Sequence, residues 1–185
     1  LFDGHDTEPA LVDHCEFRGN YNATATGLLL VNTGESVPII RYCRFRSIGT
    51  GIKALNTKAR IAFCRFQDID FYALVRPGSI EKESDPWLKD AFIFKDKEEN
   101  LPVIGILGEP DSGNNIFGNV QWKFVRNDNT ERTLRAEVND WGLADRDAIA
   151  AKMFGLVDFE PYIGQPAEGE GEGEGTVEGE GTVEG

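Results

Sequence analysis

Three segments of the chain carry the same arrangement of apolar and polar positions. Val12-Asp13-His14-Cys15-Glu16-Phe17, Ile40-Arg41-Tyr42-Cys43-Arg44-Phe45 and Ile61-Ala62-Phe63-Cys64-Arg65-Phe66 each open on a β-branched residue, with Cys three places later and Phe two after that. Cys and Phe at i and i+2 share one side of a strand, and the charged residue between them takes the other. The branched residue falls out of this alternation, which predicts a bend between it and the Cys-Phe pair. Between the copies lies a second repeat. Gly27-Leu28-Leu29-Leu30-Val31-Asn32-Thr33 matches Gly51-Ile52-Lys53-Ala54-Leu55-Asn56-Thr57. Here Ile52 and Ala54 share a face with Asn56, as Leu28 and Leu30 do with Asn32. Leu29, Val31 and Leu55 fit no clean alternation.

Each period therefore offers at least two short strands separated by turns rich in Gly, Ser, Thr and Asn. One such coil cannot bury its own apolar face, whereas coils stacked about 4.8 Å apart build a continuous core. The expected fold is all-β, a right-handed parallel β-helix of about four to six coils. Equivalent residues should stand above one another as ladders: Cys15/Cys43/Cys64, Phe17/Phe45/Phe66 and Asn32/Asn56. An inward Asn at a turn hydrogen-bonds neighbouring backbone and the next Asn. Three Cys at one ladder position read as small buried hydrophobes. Their odd number leaves a thiol over from any pairing, and none has a second Cys or a His at metal-ligand spacing.

Further along, 70–76 reads as another strand, turned by Pro77-Gly78. Residues 79–100 depart from the repeat and read as a loop thrown out from one coil, with a strand at 91–94. Val103 to Gly108 returns to the coil, and a strand follows around Trp122 to Val125. A short amphipathic helix is expected from Ala144 to Phe154, with Ile149, Met153 and Phe154 on one side and Asp145 at its N-terminus. The open end of a solenoid exposes unpaired backbone and apolar side chains. This helix, with Trp141 and Phe159 alongside, is suited to cap it. The domain accordingly runs over 1–164, its capping segment over 133–164.

The last third also carries a resemblance. Gly113-Asn114-Asn115-Ile116-Phe117, Ala136-Glu137-Val138-Asn139-Asp140-Trp141-Gly142 and Val157-Asp158-Phe159-Glu160-Pro161 occur in that order. The trio resembles the C-terminal coils of secreted right-handed parallel β-helix proteins of the pectate-lyase-like superfamily. It implies a secreted or cell-envelope location and a fold that hosts lyases, hydrolases, epimerases and proteins without chemistry. Lyases of this fold use calcium-bound carboxylates and an Arg or Lys base. Asp68, Asp70, Lys53 and Arg76 supply such residue types, but no motif joins them or indicates a bound calcium. No cofactor is expected, and calcium is the one metal left open, without a motif for it.

Charge alters the picture only at the C-terminus. Of the net charge of −13, seven charges come from Glu residues of the Glu-Gly tail, leaving −6 on the remainder. Evenly spaced Glu with intervening Gly cannot build a core. Residues 165–185 therefore read as a disordered linker to a further domain or anchor. An acidic chain without a basic stripe excludes nucleic acid as a natural partner. No apolar run approaches the roughly 18 residues needed for membrane insertion. The opening Leu1-Phe2 reads as the end of a strand in a longer solenoid, and a monomer is expected. Asn22-Ala23-Thr24 matches a glycosylation sequon.

His5 and His14 have no nucleophile pattern around them. His14 shares a column with Tyr42 and Phe63, which predicts an outward surface stack. Tyr72 and Trp87, with Arg76 beside them, are the candidate substrate-binding residues, since exposed aromatics stack on sugar rings. The favoured reading is a β-helix scaffold or binding module, non-catalytic in these coils, with a polysaccharide or cell-surface glycan as ligand. The competing reading is the end of a polysaccharide lyase or glycoside hydrolase whose catalytic coils lie upstream.

Overall fold

A computed structural model describes residues 10–31, 36–76, 79–80, 94–95, 100–109 and 112–165, with residues 21–24, 76, 79–80 and 94–95 described in their backbone only. His5, Asn32, the Pro77-Gly78 turn, Trp87 and the tail lie outside the described residues. The chain forms a parallel β-solenoid of about five turns. Its first three coils each contribute a short and a long strand: β1 (Leu11–Asp13) and β2 (Glu16–Val31), β3 (Ile39–Arg41) and β4 (Arg44–Leu55), β5 (Arg60–Ala62) and β6 (Arg65–Arg76). A short antiparallel ribbon of β7 (Ser79–Ile80) and β8 (Phe94–Lys95) follows. It lies within the segment expected to loop out, and of the strand expected at 91–94 only Phe94 is among the described residues. The later coils contain β9 (Ile116–Phe117), β10 (Lys123–Asn127), β11 (Leu134–Arg135), α1 (Arg146–Ala151), β12 (Met153–Phe154) and β13 (Val157–Asp158). The short strands form one sheet in the order β1-β3-β5, the long ones another in the order β12-β10-β6-β4-β2.

Pairing follows the repeat residue for residue. Val12, Ile40 and Ile61 are parallel partners, as are Phe17, Phe45 and Phe66, and Leu28 with Ile52. The bend between the two strands of a coil is a single left-handed residue. His14, Tyr42, Phe63, Asn114 and Val138 take φ of 52, 52, 54, 53 and 52°. This region costs most residues energy, and a β-branched Val most of all. It is held by a backbone ladder, because each of these N–H groups donates to a carbonyl of the following turn at 2.6–3.3 Å. The side chains project outward, and His14, Tyr42 and Phe63 stack with ring centroids 5.0 Å apart, as their shared column predicts.

Inside, the phenylalanine ladder is longer than its sequence repeat. Phe17, Phe45, Phe66, Phe117 and Trp141 stack in turn with centroid separations of 4.7, 5.0, 5.0 and 4.3 Å. Such offset pairs contribute about 0.5–1.5 kcal/mol each beyond the area they bury. The Cys column is likewise extended, by Asn115 and Asn139. The amide N–H after each member donates to the member below: Arg44 to Cys15, Arg65 to Cys43, Ile116 to Cys64 and Asp140 to Asn115. Cys43 and Cys64 are buried, as small hydrophobes should be, but Cys15 is exposed on the first described coil; all three thiols are free. Hydrogen bonding to Cys43, together with burial, pushes the Cys64 thiol far above its ordinary value. In the turn ladder, Asn56 accepts from Asn100 at 2.7 Å.

The expected helix is shorter than its hydrophobic pattern. Asp145 caps α1 by accepting from the Asp147 and Ala148 amides, and the helix ends at Ala151. Met153 and Phe154 leave it to pair in parallel with Val125 and Arg126 of β10, because an unpaired sheet edge gains more from backbone partners than a helix does from one further turn. Phe154 is consequently exposed, while Ile149, Trp141, Phe159 and Tyr162 close the end of the core. Arg146 ties the helix to Glu160 through two hydrogen bonds of 2.9 Å.

The repeated Gly27 and Gly51 have a packing cause. A Cβ at Gly51 would lie 2.4 Å from the Ala73 carbonyl and 2.8 Å from the Phe66 ring, while one at Gly27 would lie 2.8 Å from the Gly51 carbonyl. Gly51→Ala should therefore destabilise the protein by about 1–3 kcal/mol through overpacking, read as a lower urea midpoint with an unchanged slope. A second expectation concerns Glu137, whose side chain is 6% exposed and accepts from Arg135 at 2.7 Å and from the Leu107 amide at 2.8 Å. Arg135 holds its carboxyl below the usual value of 4.5. The stabilisation is complete above the unfolded value and is lost as pH falls through the lower folded one. Glu137→Gln should cost roughly 1 kcal/mol at pH 7 and flatten the acid limb of the stability curve below pH ~4.5.

Candidate functional site

The outer surface of β6 and β10 gathers the exposed aromatic residues of the middle coils. Its geometry starts from a bulge. Ile48 and Thr50 of β4 are partners of Ile69 and Tyr72, so β6 spends three steps where β4 spends two. An extra residue in a strand re-aims its neighbours, and Phe71 and Tyr72, consecutive in sequence, both reach the outside. The next coil repeats the three-step interval, because Val120 is the partner of Ile69 and Lys123 that of Tyr72. Gln121 and Trp122 therefore stand over Asp70 and Phe71.

Phe71 and Trp122 meet edge to face with centroids 6.1 Å apart, and Trp122 lies 5.3 Å from Tyr72. Trp122 is 53% exposed and Phe71 38%, which is unusual for rings of this size. Arg126 continues the strip. Its guanidinium carbon lies 5.5 Å from the Tyr72 ring centre and 5.4 Å from that of Phe154. It donates to the Tyr72 hydroxyl at 2.9 Å and to Asp128 at 2.7 Å. The Asp128 hydrogen bond, with help from Tyr72, raises its pKa further above an already high value. Trp122, Phe71, Tyr72, Arg126 and Phe154 form one ribbon across three coils. At its edge, Asn119 donates to Asp68 at 3.2 Å and Gln121 to Asp70 at 3.3 Å.

Two lysines fasten this surface to the cap. Lys152 donates to the carbonyls of Val120 and Gln121 at 2.6 and 3.1 Å, and Lys123 to that of Ala151 at 2.6 Å. Burial, reinforced by Lys123, lowers the pKa of Lys152. The peptide carrying Trp122 is thereby held from both sides.

Of the residues expected at a binding site, Tyr72 lies at the centre of the ribbon. The backbone of Arg76 pairs with Asn127 farther along β6, and Trp87 lies outside the described residues. Asp68 and Asp70 sit on β6 and are engaged by side-chain amides, while Lys53 aligns with Val75. Among the described residues no group of three or more His, Cys, Asp or Glu is arranged to hold a metal ion. Sequence reasoning missed Phe71, Trp122, Arg126 and Phe154. The available signal was an aromatic five places after a ladder phenylalanine, as in Phe66 with Phe71 and Phe117 with Trp122. No protein-family model matches this chain, and no curated protein or solved structure does.

Proposed function

We propose that this protein is a β-helix binding module, non-catalytic in these coils, working at the cell envelope or after secretion. Its ligand is a polysaccharide or cell-surface glycan held along the aromatic ribbon. The observation that carries this reading is the exposed Trp122–Phe71–Tyr72 cluster continued by Arg126. Aromatic rings offer an apolar face to the C–H face of a pyranose. A fixed guanidinium and the neighbouring Asn119 and Gln121 amides offer polar partners for hydroxyl groups. The ribbon crosses three coils, which suits an extended chain better than a small molecule. Asp68 and Asp70 are engaged by side-chain amides and Asp128 by Arg126, which favours binding over acid-base work. The location rests on the resemblance of the last coils and on the Glu-Gly linker, which would hold the module away from a further domain or anchor.

Screening the full chain against immobilised polysaccharides and a glycan array tests the reading. Trp122→Ala should weaken the bound glycan roughly tenfold, the loss of one good stacking contact. Folding stability should stay within about 0.5 kcal/mol, since the ring is largely outside the core. Absence of glycan binding, or equal binding by this variant, would refute the proposal. Cleavage of a polysaccharide by the chain would favour the carbohydrate-active enzyme instead.

A further inference from the structure

The first three coils carry a second surface of opposite character. On the outer side of the long strands, Glu16, Arg44 and Arg65 form one column, and Arg18, Arg46 and Gln67 the next. Arg44 stands directly opposite Arg65, and Arg18 opposite Arg46. Like charges at opposed positions of a sheet destabilise it. Only Arg46 is answered, by Glu16 at 3.4 Å; Arg18, Arg44 and Arg65 have no carboxylate partner among the described residues. A shallow depression of about 90 Å³, lined by Arg44, Phe45, Arg46, Arg65 and Gln67, lies among them. In a chain with 32 acidic and 19 basic residues, four gathered arginines with one ion-paired carboxylate among the described residues call for an anion.

We propose that this arginine face is an intramolecular docking surface for the Glu-Gly tail of the same chain. The tail supplies seven carboxylates and no basic residue between Glu168 and Glu184. It starts beside the face. The Ile163 amide donates to the Asn139 carbonyl at 3.0 Å, and the next residue, Asp140, pairs with Ile116, which pairs with Arg65. The chain thus leaves the solenoid at the head of the Arg44–Arg65 column, three rungs or roughly 14 Å above Arg65. Twenty residues span at most about 70 Å, so reach is ample. The periodicity also fits. Glu at alternate positions of an extended segment fall on one side roughly 6.7 Å apart, the interval between Arg44 and Arg46 along β4. The intervening glycines add no bulk. Each exposed ion pair is weak and screened by salt, so the docked state is loose and salt-sensitive.

The test uses nitrogen-15 NMR on the full chain. Amide shifts and heteronuclear NOEs of Gly169, Gly171 and Gly173 are followed from about 20 mM to about 500 mM NaCl, across which the Debye length contracts severalfold. At low salt these amides should be shifted and more ordered than at high salt. The difference should vanish in Arg44→Gln/Arg65→Gln and in Glu168→Gln/Glu170→Gln/Glu172→Gln/Glu174→Gln, the latter altering no residue of the solenoid. Unchanged amides of Ile52 and Leu74 report intact folding in both. Tail amides that are the same in the parent and both variants at low salt would overturn the proposal. So would an acidic oligosaccharide, trigalacturonate, that binds the face equally well in the parent and the tail-neutralised chain, because the site would then serve an external polyanion. Loss of glycan binding in Trp122→Ala with tail docking retained separates the two surfaces.

Discussion

One interior ring per coil, in parallel register, is the constraint on which the structure depends. Phe17, Phe45, Phe66, Phe117 and Trp141 occupy a single column at 4.3–5.0 Å spacing, matching the separation of neighbouring strands. A ring in that place leaves no volume across the coil. Gly27, Gly51 and Ala73 therefore stand in register opposite it, since a larger side chain would meet Phe45, Phe66 or the next carbonyl. At the closed end the relation changes. Phe124 takes the position of Ala73 and packs against Phe117 and Trp141, and Ile149 covers what remains. The same column thus sets both the cross-section of the solenoid and the way it is terminated.

Much of this was legible because a solenoid writes its contacts as sequence repeats. The strand order, the bend before each Cys, the Phe ladder and the outward His14–Tyr42–Phe63 stack all follow from three aligned segments. The later coils were less legible for a physical reason. The segment after β6 lengthens the period from 21 residues between Cys43 and Cys64 to 51 between Cys64 and Asn115. The residue type in the column changes with it. Asn115 and Asn139 replace Cys because these coils have few regular strands and leave backbone groups to be satisfied from within. Asn115 accepts from the Cys64 amide at 2.9 Å and donates to the carbonyls of Ile61 and Ile104 at 3.0 and 2.9 Å. One amide side chain does the work of several missing strand bonds.

The candidate binding surface was less legible still, because it depends on a quantity that no single coil shows. Phe71 and Tyr72 are consecutive, and an unbroken strand would send them to opposite faces. The bulge between Ile69 and Tyr72 sends both outward, and only the matching interval from Val120 to Lys123 places Trp122 beside them. Tyr72 could be chosen from composition, but Trp122 needed the register across the insertion. The i, i+4 spacing of Ile149 and Met153 predicts a helix that runs on to Phe154. The demand of β10 for an edge partner outweighed that local pattern.

A second left-handed corner explains how one chain keeps two unlike surfaces apart. Ser47 and Asp68 take φ of 54 and 53°, turning β4 and β6 between their first and second halves. Arg44, Arg46 and Arg65 lie before this corner, while Phe71 and Tyr72 lie after it. The residues facing inward on both sides, Phe66, Ile69 and Leu74, are fully buried and fixed by the ladder. Outward positions carry no such packing constraint, and a change there costs little stability. The arginine face and the aromatic ribbon can therefore be altered independently on a common core, so that in such a solenoid the interior repeats fix the shape while specificity resides in the departures from repetition.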